Sequence, residues 1–164
     1  MRQTPRSQAP SWRLSHRRAF RVAKANYADS VEVLLSGDGA REWGGRFNSP
    51  GSRAVYCSTT LSLAALEILV HAPRLNVLPE YRFLEVNVPD WAIEHLDRAD
   101  LGEDTVALGD RRLGAKGILG FSAPSFVNRF ERNLVLNPEH PDFRKLVTHG
   151  KIQPFPFDRR LLTR

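Results

Sequence analysis

Glu67 is the residue whose position most needs a physical reason. It stands inside the apolar run Leu61-Ser62-Leu63-Ala64-Ala65-Leu66-Glu67-Ile68-Leu69-Val70. On a helix, Leu63 and Val70 share its face at i−4 and i+3. A carboxylate there is costly unless it is paired or used. One reading is an ion pair with a buried arginine that fixes the helix. The other is a functional carboxylate on a rigid element, facing a cleft where it meets developing positive charge or a hydroxyl. His71, four residues on, permits a metal pair with Glu67. No third ligand stands out, and His71 equally suits the C-terminal end of a helix dipole.

Three further residues have types that do chemistry. Arg46 lies in Gly44-Gly45-Arg46-Phe47-Asn48-Ser49-Pro50-Gly51. Its flanking glycines let a ligand approach the backbone, and a guanidinium grips phosphate through two parallel hydrogen bonds. The bland alternative is a structural turn carrying one arginine. Tyr56 is either a core tyrosine or a ring that stacks on a planar ligand. Ser125 follows Pro124 but has no G-x-S-x-G elbow around it and no evident His–Asp relay, so a hydroxyl that orients a ligand or caps a turn fits better than a hydrolase nucleophile. Neither a Walker loop nor a dinucleotide-binding glycine fingerprint occurs in the chain.

These residues need elements to hold them. Ser58-Thr59-Thr60 offers an N-cap for a helix over Leu61–His71, stopped by Pro73, and its apolar surface predicts a helix buried all round. Ala54–Cys57, which carries Tyr56, reads as a strand running into that helix. Further strands are expected at Ala19–Val22, Tyr81–Val88, Asn133–Leu136 and, broken by proline, Ile152–Phe157. Ala28–Leu35 reads as a short helix ended by the glycines of Ser36-Gly37-Asp38-Gly39, and 41–52 as a loop. A helical turn is expected over Trp91–Leu96 and a short helix or turn over Pro141–Val147. Gly109, Gly114, Gly117 and Gly120 read as punctuation in a loop-and-strand region. The elements mix without a βαβ rhythm, which predicts an α+β domain.

The 164 residues allow one good core and not two ordinary domains. The net charge of +6 is unevenly placed. Residues 1–21 carry six arginines and no acid; residues 22–150 carry fourteen basic against seventeen acidic groups; the last fourteen residues carry four basic groups and Asp158. A basic tail over 1–17, a single domain over 18–164 and a mildly acidic body over 22–150 within it are therefore expected, which disfavours direct nucleic-acid binding. Cys57 is the only cysteine, so no internal disulfide or cysteine-built zinc cluster can form. No apolar run nears the ~20 residues of a membrane helix, and the N-terminus lacks a secretory pattern, so the expectation is a cytoplasmic protein.

Taken in order, these pieces resemble the RES-domain family. The matching stretches are Phe20-Arg21-Val22 with Tyr27-Ala28-Asp29; Ser36-Gly37-Asp38-Gly39-Ala40; and Gly44 to Gly51. They continue with Val55-Tyr56, Ala64-Ala65-Leu66-Glu67, Pro124-Ser125 and Asn133-Leu134-Val135-Leu136-Asn137-Pro138. Phe47 stands where the family usually has tryptophan, which keeps an aromatic ring.

The resemblance implies a compact α+β fold related to ADP-ribosyltransferase toxins, with small central mixed or antiparallel sheets and flanking helices. It implies a toxin that cleaves the nicotinamide–ribose bond of NAD+, as a phosphorylase, glycohydrolase or ADP-ribosyltransferase, without a metal. Its partner would be an Xre-like helix-turn-helix antitoxin that covers the active site and supplies the DNA contact, in a homodimer or a larger hetero-oligomer. By position, Glu67, Arg46 and Tyr56 resemble the catalytic residues. Arg21, Tyr27, Asn48 and Ser125, with Arg46 and Tyr56, resemble those that bind the dinucleotide. A non-catalytic nucleotide- or protein-binding module is the alternative from another class.

Overall fold

A computed structural model describes residues 15–72 and 79–161. Eight strands among the described residues form one sheet in the order β4-β5-β6-β2-β1-β3-β7, with β8 also paired to β3. They are β1 (His16–Lys24), β2 (Val55–Ser58), β3 (Tyr81–Pro89), β4 (Ile93–His95), β5 (Gly120–Pro124), β6 (Arg132–Leu136), β7 (Thr148–His149) and β8 (Gln153–Phe155). Only β4 and β5 run parallel. The α+β architecture is the expected one, with its strands gathered in a single mixed sheet.

Side chains alternate between the two faces of a strand, and two cores follow from that period. Val55, Cys57, Leu84, Val86, Val88, Leu134 and Leu136 are buried on one face, beneath Leu34 of α1 (Val31–Leu34) and Phe143 of α5 (Phe143–Leu146). Phe121, Ala123 and Val135 face the other way, under Phe47 and under Leu108 and Leu113 of α4 (Thr105–Leu113). Tyr56 packs against this second core.

Helix α3 (Leu61–His71) has its expected bounds. Thr60 caps it, its Oγ1 accepting from the Leu63 amide at 3.0 Å. Ala72, ahead of Pro73, is extended (φ −72°, ψ 123°), as the residue before proline favours; Pro73 itself lies outside the described residues. The all-round burial expected of α3 is not found. Leu63 and Ala64 are buried, whereas Leu66 is 40% and Val70 62% exposed. The helix lies on the sheet, against β1 and β2, rather than inside it.

Other differences have local causes. Gly37 takes φ 70° and opens α2 (Asp38–Trp43), so the expected loop begins three residues later than its composition suggested. Gly109 lies inside α4, where loop was expected, and a Cβ there would collide with the Phe47 carbonyl. The glycine therefore serves close packing of α4 on the 44–52 loop. Of the expected turn at 91–96 only Trp91 and Ala92 are helical, within the short turn Asp90–Ala92, and Ile93–His95 is strand. Residues 1–14 of the expected tail lie outside the described residues; His16 and Arg17 begin β1, and Arg17 pairs with Asp90 at 2.9 Å.

Candidate active site

Glu67 stands where one face of α3 passes from core to solvent. Leu63, one turn before it, is buried; Val70, on the next turn, is exposed. Among the described residues no cation pairs with the carboxylate, so the expected alternative of a buried ion pair is not what holds it. Its Oε1 instead accepts from Ser125 Oγ at 2.9 Å and from Asn133 Nδ2 at 2.7 Å. His71 Nδ1 lies 2.8 Å from the Glu67 carbonyl, the helix-end contact expected of it. Among the described residues no cluster of three or more His, Cys, Asp or Glu is placed to hold a metal ion.

Two adjoining hollows, of about 320 and 300 Å³, flank Glu67 and share Arg21, Tyr56, Glu67, His71 and Asn133 in their walls. Arg46 and Phe126 line the first, Cys57, Ser58 and Ile68 the second. A larger cavity of about 480 Å³ lies between α1 and α5 and contains none of the expected site residues. Its Arg53 is already bound to Asp38 (2.9 Å) and to the Ser36 carbonyl (2.8 Å). Convergent polar groups, rather than volume, mark a site for chemistry, and they converge at Glu67.

Arg21 reaches the cleft because β1 and β2 pair only at Phe20↔Ser58. Beyond that point Arg21 supplies donors that a neighbouring strand would otherwise provide. Its Nη1 donates to the Tyr56 carbonyl at 3.4 Å and its Nε to the Leu34 carbonyl at 3.3 Å, both long bonds. Burial lowers the pKa of this guanidinium, with the Cys57 sulfur acting the other way. Arg46, by contrast, is exposed, and its guanidinium stacks 4.0 Å from the centre of the Phe126 ring.

Tyr56 and Asn48 build the loop that carries Arg46. The Tyr56 hydroxyl donates to Asn48 Oδ1 (2.7 Å) and accepts from the Phe47 amide (3.0 Å). Burial is the main reason its pKa is pushed up to about 12, with nearby Asp110 adding to the rise. Asn48 Nδ2 is within hydrogen-bond distance of the Ala40, Ser49 and Ser52 carbonyls. The α4 side chain Asp110 accepts from the Ser49 amide at 3.1 Å. Gly45 is fitted to this arrangement, since a Cβ would lie 2.6 Å from the Tyr56 hydroxyl.

Of the residues expected at the site, the fold brings together Glu67, Arg21, Arg46, Tyr56 and Ser125. Tyr27 stands on a separate turn, 63% exposed and outside the walls of both hollows. Asn48 is buried with its amide occupied by the loop. Ser125 is fully buried; its Oγ accepts from the Val127 and Asn128 amides at 3.0 and 3.1 Å and donates to Glu67. It caps a turn and orients the carboxylate. Asn133, although it opens a stretch that resembles the family, and Phe126 are not among the residues expected at the site. Asn133 carries no local anomaly at a strand start, and Phe126 is read only once Arg46 is seen on its ring.

A one-domain α+β fold, with a glutamate held in a cleft beside arginines and a tyrosine, defines a class of protein that the comparisons make specific. The RES domain model matches residues 18–158, and the chain belongs to the RES domain family. It is 33% identical over 152 residues to a protein named Toxin Res of Photorhabdus laumondii subsp. laumondii, covering 87% of this chain and 96% of that one. It is 30% identical over 141 residues to the Prs ADP-ribosylating toxin of Sphingobium sp., covering 78% and 86%. Among solved structures it resembles a chain of the M. tuberculosis MbcT-MbcA toxin–antitoxin complex, with a TM-score of 0.61, 18% identity and coverage of 86% and 85%.

Proposed function

We propose that this protein is the toxin of a toxin–antitoxin pair and that it cleaves the nicotinamide–ribose bond of NAD+. The observation that carries the reading is the Glu67 carboxylate, fixed through Oε1 in a cleft whose walls also hold Arg21, Arg46 and Tyr56. The toxin names of its relatives, one of them ADP-ribosylating, support the same reading.

In this reaction the C1′–N bond breaks and its electron pair leaves with nicotinamide, which becomes neutral. Positive charge then develops on the ribose, as in glycoside cleavage. In this reading the Glu67 carboxylate stabilises that charge or holds a ribose hydroxyl, a preorganised interaction of the kind that contributes several kcal/mol. Arg21 and Arg46 neutralise the pyrophosphate and fix the substrate. Tyr56 offers its ring face to the nicotinamide end, because its hydroxyl is committed to the 44–52 loop. Phosphate, water or a protein side chain then attacks C1′ and loses a proton on forming the new bond.

An Xre-like helix-turn-helix antitoxin is the partner this reading assigns, seated over the cleft in the cytoplasm and making the DNA contacts itself. Phe126 (44% exposed), in the wall of the first hollow, with exposed Trp43 and Val70 next in sequence to Gly44 and His71 of the walls, gives a protein partner apolar ground. The test is purified protein with NAD+, with and without phosphate and candidate acceptor proteins, followed by nicotinamide release. Turnover that Glu67→Gln abolishes supports the reading; no turnover under any condition removes it in favour of a binding module. In cells, expression should arrest growth, and Glu67→Ala or Arg46→Ala should relieve the arrest.

A further inference from the structure

Both side chains that hold Glu67 hold the same oxygen. Ser125 Oγ and Asn133 Nδ2 converge on Oε1, and among the described residues no donor reaches Oε2. Each donor is itself aimed. Ser125 accepts two backbone amides, so its single proton is left for Glu67. Asn133 is aimed by Ser58, whose Oγ donates to Asn133 Oδ1 at 2.7 Å. With a donor on that oxygen, the amide cannot flip without placing Nδ2 against the hydroxyl proton and Oδ1 against the carboxylate. Ser58 and Asn133 are direct cross-strand partners in the β2–β6 register, so their side chains share a face and their separation is set by the sheet. Ser58 is buried, at 5% exposure, and Asn133 lines both hollows beside Glu67.

We propose that Asn133, oriented by Ser58, is a positioning residue that holds Glu67 in one rotamer and leaves Oε2 as the oxygen presented to substrate. The inference rests on Glu67 being the catalytic carboxylate. A half-buried glutamate in an open cleft has several rotamers open to it, and the sheet-borne amide selects one. Misplacement of a reacting group by ~1 Å costs on the order of 100-fold in rate.

The experiment measures kcat and KM for nicotinamide release, the pH profile, the thermal midpoint and the crystal structure of Asn133→Ala, Asn133→Asp and Ser58→Ala beside wild type. In Asn133→Ala, kcat falls about 10- to 100-fold while KM for NAD+ stays within about twofold, since the arginines are untouched. Ser58→Ala loses less, because the amide keeps one donor within reach of Glu67. Asn133→Asp keeps the shape but donates only while the new carboxyl and Glu67 share a proton. Its activity is therefore best toward acid pH and falls as pH rises, a limb absent from wild type.

Crystal structures read the positioning without turnover: in Asn133→Ala the Glu67 carboxylate leaves its wild-type rotamer. Wild-type kcat in Asn133→Ala, an unmoved Glu67, or an Asn133→Asp profile parallel to wild type would overturn the proposal. Nicotinamide release that is absent in wild type or unchanged in Glu67→Gln removes the catalytic reading instead, and the Glu67 rotamer then decides the positioning claim alone.

Discussion

Ser125 Oγ lies 2.9 Å from Glu67 Oε1 although 58 residues separate the two in the chain. The serine hydroxyl also closes the turn that follows β5, so the same atom holds a loop and aims a carboxylate. Substitution by alanine leaves the Val127 and Asn128 amides without their acceptor. A stability loss of about 1–3 kcal/mol is expected from stranding such groups, read as a lower thermal midpoint, together with slower nicotinamide release. A serine-directed covalent probe should leave wild type unlabelled at Ser125, because the side chain is fully buried. Labelling there would restore the nucleophile reading.

Tyr56→Phe removes one hydroxyl and strands two groups, the Phe47 amide and Asn48 Oδ1. The ring remains, so the expected damage falls on the loop: about 1–3 kcal/mol of stability and faster hydrogen exchange at the Phe47 amide. The phenol also makes stability depend on pH. Its ordinary value of 10.0 rises to about 12 in the folded protein, so the folded state holds the proton longer. Its contribution is complete below about pH 10 and is lost as pH rises toward 12. Denaturant titrations across that window should fall more steeply for wild type than for Tyr56→Phe.

Cys57 should resist alkylation in the native protein. It is 3% exposed, and burial pushes its thiol up to about 12, with the Arg21 charge opposing the shift. The thiolate is the nucleophile, so iodoacetamide at pH 8 should modify the chain only after denaturation. Rapid modification of folded protein would show that β2 opens readily beside the cleft.

The two arginines should fail in different ways. Arg46 is exposed, so Arg46→Ala should leave stability within about 0.5 kcal/mol while raising KM for NAD+ about tenfold or more. Arg21 also ties the Leu34 and Tyr56 carbonyls together. Arg21→Ala should lower the thermal midpoint as well as NAD+ turnover. Equal losses of stability in both would show that Arg46, too, holds the fold together.

Much of the local structure is legible in the chain. Thr60 and the proline after Ala72 mark the bounds of α3 in the sequence, because a cap hydroxyl and a residue without an amide hydrogen are local signals. The alternation through Tyr81–Val88 marks β3 because strand periodicity is a property of neighbours. Glu67 is legible as an anomaly, since a carboxylate within an apolar helix needs a reason whatever surrounds it. Gly109 misleads for the same cause: local propensity makes it a breaker, whereas its place in α4 is set by the Phe47 carbonyl against it.

The sequence by itself determined that Glu67 would sit on a capped helix, that a glycine-rich turn would carry Arg46, and that the positive charge would gather at the chain ends. Tertiary structure decided what holds Glu67, because Ser125, in the turn after β5, and Asn133, on β6, reach it from 58 and 66 residues away. It also decided that one side of α3 is exposed, and that Asn48 serves the loop while Tyr27 stands apart. Hydrogen-bond partners and burial depend on which segments the sheet brings together, and in this fold the β2–β6 register places Ser58 opposite Asn133 beneath the carboxylate.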